Sequence, residues 1–266
     1  MSDPSAPKPP AQSSNRWVVL FQVILIIGIA AFFILPRGTD DTGTAPADTA
    51  SPGAASGTPV SRDSSIRTAQ DVPTGTSAEF DTLLTDVRSL DSTIAVDLRY
   101  RGTDNFTGAP LPGYEGNRAF LRREAAAALV RVQQALKSKG LGLLIYDSYR
   151  PVRATEAMVA WTVRVHREQL VTDGYISDRS RHNLGVAIDC TLIDLRTRQP
   201  LDMGVPFDTF SSAAHTANAT GTAAANRALF VAAMQHEGFA NYDQEWWHFM
   251  YDVPAASLRR FDVAIR

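Results

Sequence analysis

The chain has 266 residues, with 26 Lys+Arg against 28 Asp+Glu, a net charge of −2 and 44% hydrophobic residues. A near-neutral chain offers no broad basic surface, which argues against nucleic acid as a partner, and the composition excludes collagen-like and wholly disordered classes. Its single cysteine, Cys190, closes no intramolecular disulfide, so the fold rests on its core or on a metal.

Residues 1–16 form a polar N-terminal tail. From Trp17 to Leu35 the run WVVLFQVILIIGIAAFFIL carries Gln22 as its one strongly polar side chain. At a rise of about 1.5 Å per residue, its 19 residues approach the thickness of a bilayer's hydrocarbon core, which predicts a transmembrane helix. Its length, and the poor cleavage context of Leu35-Pro36-Arg37, favour an uncleaved signal-anchor over a removed signal peptide. Lys8 and Arg16 precede the run, whereas Asp40, Asp41 and Asp48 follow it with Arg37 alone opposing them. That bias predicts a membrane-anchored protein whose N-terminus is cytoplasmic and whose bulk is extracytoplasmic, on the periplasmic or cell-envelope side. Residues 36–78, rich in Gly, Thr, Ala, Ser, Pro and Asp, read as a disordered linker. Residues 79–266 then form one domain of roughly 190 residues, long enough for a proper core.

Within that domain, Thr93 to Tyr100 alternates apolar and polar residues and predicts a strand. Leu121 to Lys139 places Leu121, Ala125, Ala128, Leu129, Val132 and Leu136 at helical spacing and stops at Gly140. Leu141 to Tyr146 predicts a buried strand, and Pro151 opens a helix reaching about Leu170. Val186 to Ile193 predicts an apolar strand interrupted by Asp189. Ala223 to Glu237 predicts a helix ended by Gly238, and Trp246 to Tyr251 a final aromatic strand. Strands and helices mix without a regular βαβ rhythm, so the expected class is α+β.

Two clusters put metal-binding residue types where the pattern calls for apolar ones. The first is Ser180-Arg181-His182-Asn183-Leu184-Gly185-Val186-Ala187-Ile188-Asp189. A carboxylate on an apolar strand is costly to bury unless something pairs with it. His182 and Asp189 would lie on opposite faces of a straight strand, but Asn183 and Gly185 supply a bend able to bring both to one point. The second cluster is Glu245-Trp246-Trp247-His248. Each residue alone reads as a hydrogen-bonded core residue; together, two His and two carboxylates in two such settings point to a site. His182, Asp189 and His248 as ligands would leave the fourth position of a tetrahedral zinc open, and Glu245 would be free to act as general base on water. Cys190 neighbours a candidate ligand but faces away, as a small buried hydrophobe. His166, His215 and His236 belong to no motif.

The order S-x-H-x-x-G-x-A-x-D followed by E-x-W-H resembles the zinc peptidases that include D-alanyl-D-alanine dipeptidases, D,D-carboxypeptidases and related peptidoglycan peptidases. Further matches point to the dipeptidase branch: Leu98-Arg99-Tyr100, Asp104 to Gly108, Gly113-Tyr114-Glu115 with Asn117, Asp147-Ser148-Tyr149-Arg150-Pro151, Gly174-Tyr175, Met203-Gly204 and Phe207-Asp208. The resemblance implies a small mixed antiparallel sheet with flanking helices and one Zn²⁺ on His182, Asp189 and His248. It also implies Glu245 as base and proton shuttle, and Arg150 directed at the scissile carbonyl. Asp208 would meet the free ammonium of a small dipeptide, and Tyr100, Tyr175 and Ser180 would line the pocket. No protein partner is implied. Two rival readings keep the metal: a D,D- or L,D-carboxypeptidase acting on peptidoglycan stem peptides, and a catalytically silent zinc-stabilised wall-binding module. Glu245 and Arg150 argue against the silent module, which needs neither.

Overall fold

The computed structural model describes residues 72–266. The tail 1–16, the signal-anchor expected at 17–35 and the linker as far as residue 71 lie outside the described residues. Among the described residues, no helix is long and apolar enough to cross a membrane. The membrane-anchored, extracytoplasmic placement expected from residues 17–35 is therefore withdrawn, and with it the membrane as a partner.

The first described residues fall within the stretch expected as linker and pack onto the domain. Val72 is buried, and Gly75 N donates to Arg260 O at 2.8 Å. A Cβ on Gly75 would lie 2.3 Å from the Phe261 ring, so only glycine admits that approach. Thr76 and Glu79 then form a reciprocal capping box that opens helix α1 (Ser77–Leu83).

The chain continues through β1 (Leu84–Asp86), β2 (Ala95–Val96), β3 (Phe120–Arg122), α2 (Arg123–Lys137), β4 (Leu141–Asp147), α3 (Val152–Arg164) and α4 (Gln169–Thr172). It ends with β5 (Ala187–Asp194), α5 (Gly221–His236), β6 (Phe239–Asn241) and β7 (His248–Tyr251). Strands β1 and β3 pair antiparallel as a small separate sheet, and the principal sheet has five strands in the order β2-β4-β5-β7-β6. In it β2 and β4 are parallel, while the other pairings are antiparallel, so the class is a mixed α+β fold. The central position of β5 explains its apolar sequence: all but its last residue are buried, because the strand is covered on both faces. Helix α2 turns Ala125, Ala128, Leu129, Val132 and Leu136 inward. Each fully buried leucine there contributes about 1.5–3 kcal/mol.

Two expectations shift. The strand expected over 93–100 shrinks to β2, because Leu98 N bonds to Asn117 Oδ1 at 3.0 Å and Arg99–Arg101 form a 3₁₀ turn. That turn drives Tyr100 into the core, where alternation alone would have left it on a strand face. Helix α3 ends at Arg164 short of Leu170, since His166 adopts φ +56° and Arg167 N closes the end on Thr162 O at 2.8 Å.

Candidate active site

The site forms where β5 and β7 meet the turn before β5. Asp189 and His248 are direct partners in the antiparallel register, so their side chains leave the same face of the sheet side by side. His182 arrives from the 3₁₀ turn Arg181–Leu184, whose first N–H groups are met by Ser180: its Oγ accepts from His182 N at 3.3 Å. Gly185 ends the turn at φ +68°, and a Cβ there would lie 2.8 Å from Leu84 Cδ2. Asn183 pins the turn from beneath, its Nδ2 donating to Arg150 O and Thr155 Oγ1, both at 2.9 Å. This bend turns His182 back toward Asp189.

The donor atoms then converge. His182 Nδ1 lies 2.6 Å from Ser148 O, and since a carbonyl only accepts, Nδ1 carries the proton and Nε2 keeps its lone pair. His182 Nε2 is 3.2 Å from His248 Nδ1 and 3.5 Å from Asp189 Oδ1, and His248 Nδ1 is 2.8 Å from Asp189 Oδ1. A tetrahedral zinc with bonds of about 2.0–2.1 Å sets its ligand atoms roughly 3.3 Å apart, so the triangle suits the ion. Protonation suits it too. Burial opposes the charge of Asp189, yet His182 and His248 hold its carboxyl well below the usual range, while burial pushes the His248 imidazole down toward neutrality.

Glu245 stands beside this triangle, with Oε2 4.0 Å from His248 Nδ1. Burial first, and then the carboxylates of Asp189 and Asp208, push it well above the ordinary glutamate range. Arg150 enters from the other side. Its Nε and Nη2 donate to Asp147 Oδ2 at 2.9 and 2.8 Å, and Tyr114 Oη donates to Asp147 Oδ1 at 2.6 Å. The guanidinium sits 5.2 Å from the centre of the Tyr100 ring and has Nη2 3.8 Å from Asp189 Oδ2. Burial works against its charge, but Asp147 and its neighbours keep it firmly protonated.

Asp208 lies on the loop after β5 at φ +61°. Its Oδ1 accepts from Tyr100 Oη at 3.0 Å, whereas Oδ2 is buried with no hydrogen-bond partner. Burial, and then Asp189, push its carboxyl up to about 8. Tyr175 places its hydroxyl 3.2 Å from His215 Nε2. Tyr100, Arg150, Tyr175, Ser180, His182, Asp189, Asp208, Glu245 and His248 all line one cavity of about 370 Å³.

Several contributors escaped the sequence. Asp147 and Tyr114 sit in matched motifs, but nothing local tells that one grips Arg150 and the other grips its grip. His215, set aside as belonging to no motif, meets Tyr175 from a segment 40 residues away.

An α+β chain that gathers a buried His-Asp-His triangle, a poised carboxyl and a paired guanidinium around one small cavity has the make-up of a metallopeptidase. Residues 81–263 match the family model of D-Ala-D-Ala dipeptidases, peptidase family M15, and the chain belongs to that family; it is a peptidase. The D-alanyl-D-alanine dipeptidase of Enterococcus faecium is 35% identical over 186 residues, which cover 64% of this chain and 92% of the relative. That of Escherichia coli K12 is 35% identical over 178 residues, covering 66% and 87%. Among solved structures, the vancomycin resistance D,D-dipeptidase VanXYg in complex with a D-Ala-D-Ala phosphinate analog aligns at a TM-score of 0.34 and 16% identity, over 64% of this chain and 66% of that one. The assignment rests on the sequence relatives.

Proposed function

We propose that residues 79–266 are a zinc-dependent dipeptidase domain that hydrolyses D-Ala-D-Ala or similar short dipeptides. The observation that carries the choice of a dipeptide is the unpartnered Oδ2 of Asp208, a buried carboxyl oxygen on a residue that lines the same cavity as the His-Asp-His triangle. A buried acceptor left unsatisfied costs about 1–3 kcal/mol, and the free ammonium of a dipeptide satisfies it. A longer stem peptide has its nearest amine acylated and brings no charge to that point, which disfavours the carboxypeptidase reading.

His182 through Nε2, Asp189 through Oδ1 and His248 through Nδ1 would hold the ion. Bound there, zinc supplies Lewis-acid polarisation and eases deprotonation of water near neutral pH. Glu245, its proton affinity raised by burial, accepts the proton of the attacking water and returns it to the leaving amine. Arg150, held rigid by Asp147, donates to the oxygen on which negative charge develops. Tyr100 fixes Asp208 for the substrate ammonium, and Ser180 and Tyr175 bound the remaining pocket.

The test is a panel of D,D, L,D and L,L dipeptides together with N-acetylated and tetrapeptide substrates, assayed with and without chelator. Rapid, chelator-sensitive release of D-alanine from D-Ala-D-Ala is expected. Equal rates on N-acetylated or tetrapeptide substrates would favour the carboxypeptidase, and retained zinc with no hydrolysis at all the silent module.

A further inference from the structure

Arg227 projects from α5 and is 2% exposed, yet it lines no part of the substrate cavity. Among the described residues no carboxylate lies within 4 Å of it. Its donors go instead to main-chain carbonyls. Nε and Nη2 donate to Met203 O at 2.8 and 2.6 Å, Nη1 donates to His215 O at 2.7 Å, and Nη2 also reaches Ala213 O at 3.2 Å. A buried guanidinium without a paired carboxylate is an expensive way to satisfy carbonyls: burial pushes its pKa down, and Asp202, beyond ion-pair distance, opposes this only in part.

The acceptors explain the expense. Met203 and His215 bracket the stretch of the β5–α5 loop that carries Asp208. Between Gly204 and Asp208 the backbone makes no hydrogen bond to any other backbone segment among the described residues. The middle of the loop is held only by side chains, notably Phe207 against Trp247 and Tyr146 and the Tyr100 bond to Asp208. Arg227 also lies 6.0 Å from the ring centre of Trp246, next in sequence to Glu245, and Trp246 N donates to Ala214 O at 3.1 Å inside the same loop. One side chain thus closes both ends of that stretch and touches the segment that bears the base.

We infer that Arg227 is a positioning residue: its fork draws Met203 and His215 together so that Asp208 meets the substrate ammonium at a fixed point. The inference rests on the dipeptidase reading above and goes beyond it by naming what sets selectivity for a free amine. The readout is the ratio of kcat/KM for D-Ala-D-Ala to that for N-propionyl-D-alanine, which has the same scissile bond and no ammonium. It is measured on the full zinc-loaded chain, with zinc content and thermal stability recorded for each variant.

In Arg227→Met the ratio should fall about tenfold, through a raised KM for the dipeptide with kcat changed less than about threefold and zinc retained. Arg227→Lys, which keeps the charge and a donor but loses the fork, should fall in between and serves if the methionine variant does not fold. A high ratio in the parent that either folded variant leaves unchanged, whatever happens to stability, overturns the inference while the dipeptidase reading stands. A ratio near one in the parent overturns both.

Discussion

Asp189 and His248 face one another because β5 and β7 pair at that register, whereas Asp208 lines the same cavity from residues 204–208, a loop stretch whose backbone bonds to no strand among the described residues. The ligand side is built redundantly. A slip of one residue in β5 would turn Asp189 away and force Ile188 and Cys190 onto the face that carries the site, so core packing on both faces enforces the geometry. The Asp208 side has no such insurance: its order comes from a few side chains, a left-handed backbone at Asp208 and the Arg227 clasp. A register-built half can hold a metal within tenths of an ångström, and a loop-built half can tune which substrate enters.

Mutations should separate the two halves. The largest effect is expected from Glu245→Gln, which removes the base without touching the donor triangle. Its kcat should fall about 10³-fold with zinc still bound stoichiometrically, measured by turnover and metal analysis together. Activity near the parent level would assign the proton transfer to another group.

Next in size is Gly185→Ala, which strikes the bend that brings His182 to the sheet. The φ of +68° and the 2.8 Å approach to Leu84 Cδ2 predict a loss of about 1–3 kcal/mol by denaturant unfolding, accompanied by weaker zinc binding. A variant of parental stability and affinity would mean that the turn adapts, and that the ligand side is less rigid than its register implies.

Asp208→Asn should leave the ligand side alone. It is expected to raise KM for the dipeptide about tenfold with little change in kcat. It also has a pH signature. The Asp208 carboxyl is pushed up to about 8 by burial and then by Asp189, above its unfolded value of about 4. The folded state therefore holds that proton more tightly. The resulting stability is fully present below about pH 4 and is lost as pH rises through about 8. In substrate-free protein, the thermal stability of the parent should fall relative to Asp208→Asn between pH 5 and 9; parallel curves would remove Asp208 as the titrating group.

Part of this site could be read from the chain directly. His182, Asp189, Glu245 and His248 stand out because polar, metal-binding side chains interrupt runs whose apolar pattern demands burial. Gly185 announces a bend for the same local reason. Asp147, Tyr114 and His215 do not stand out, because their meaning lies in partners 3, 33 and 40 residues distant, respectively. Arg227 is the extreme case: on an alanine-rich helix it reads as an ordinary solvated residue, and nothing local says that two points of one loop meet beneath it.

By itself, the sequence determined the α+β class, the course of the long helices and which His and carboxylate residues interrupt apolar runs, since those follow from periodicity and from the cost of burying charge. Tertiary structure alone decided that Tyr100 leaves its strand to hold Asp208, that Arg150 is clamped by Asp147, and that a buried arginine closes the substrate loop. Those contacts join segments far apart in the chain, and their energies depend on desolvation that only the assembled fold imposes.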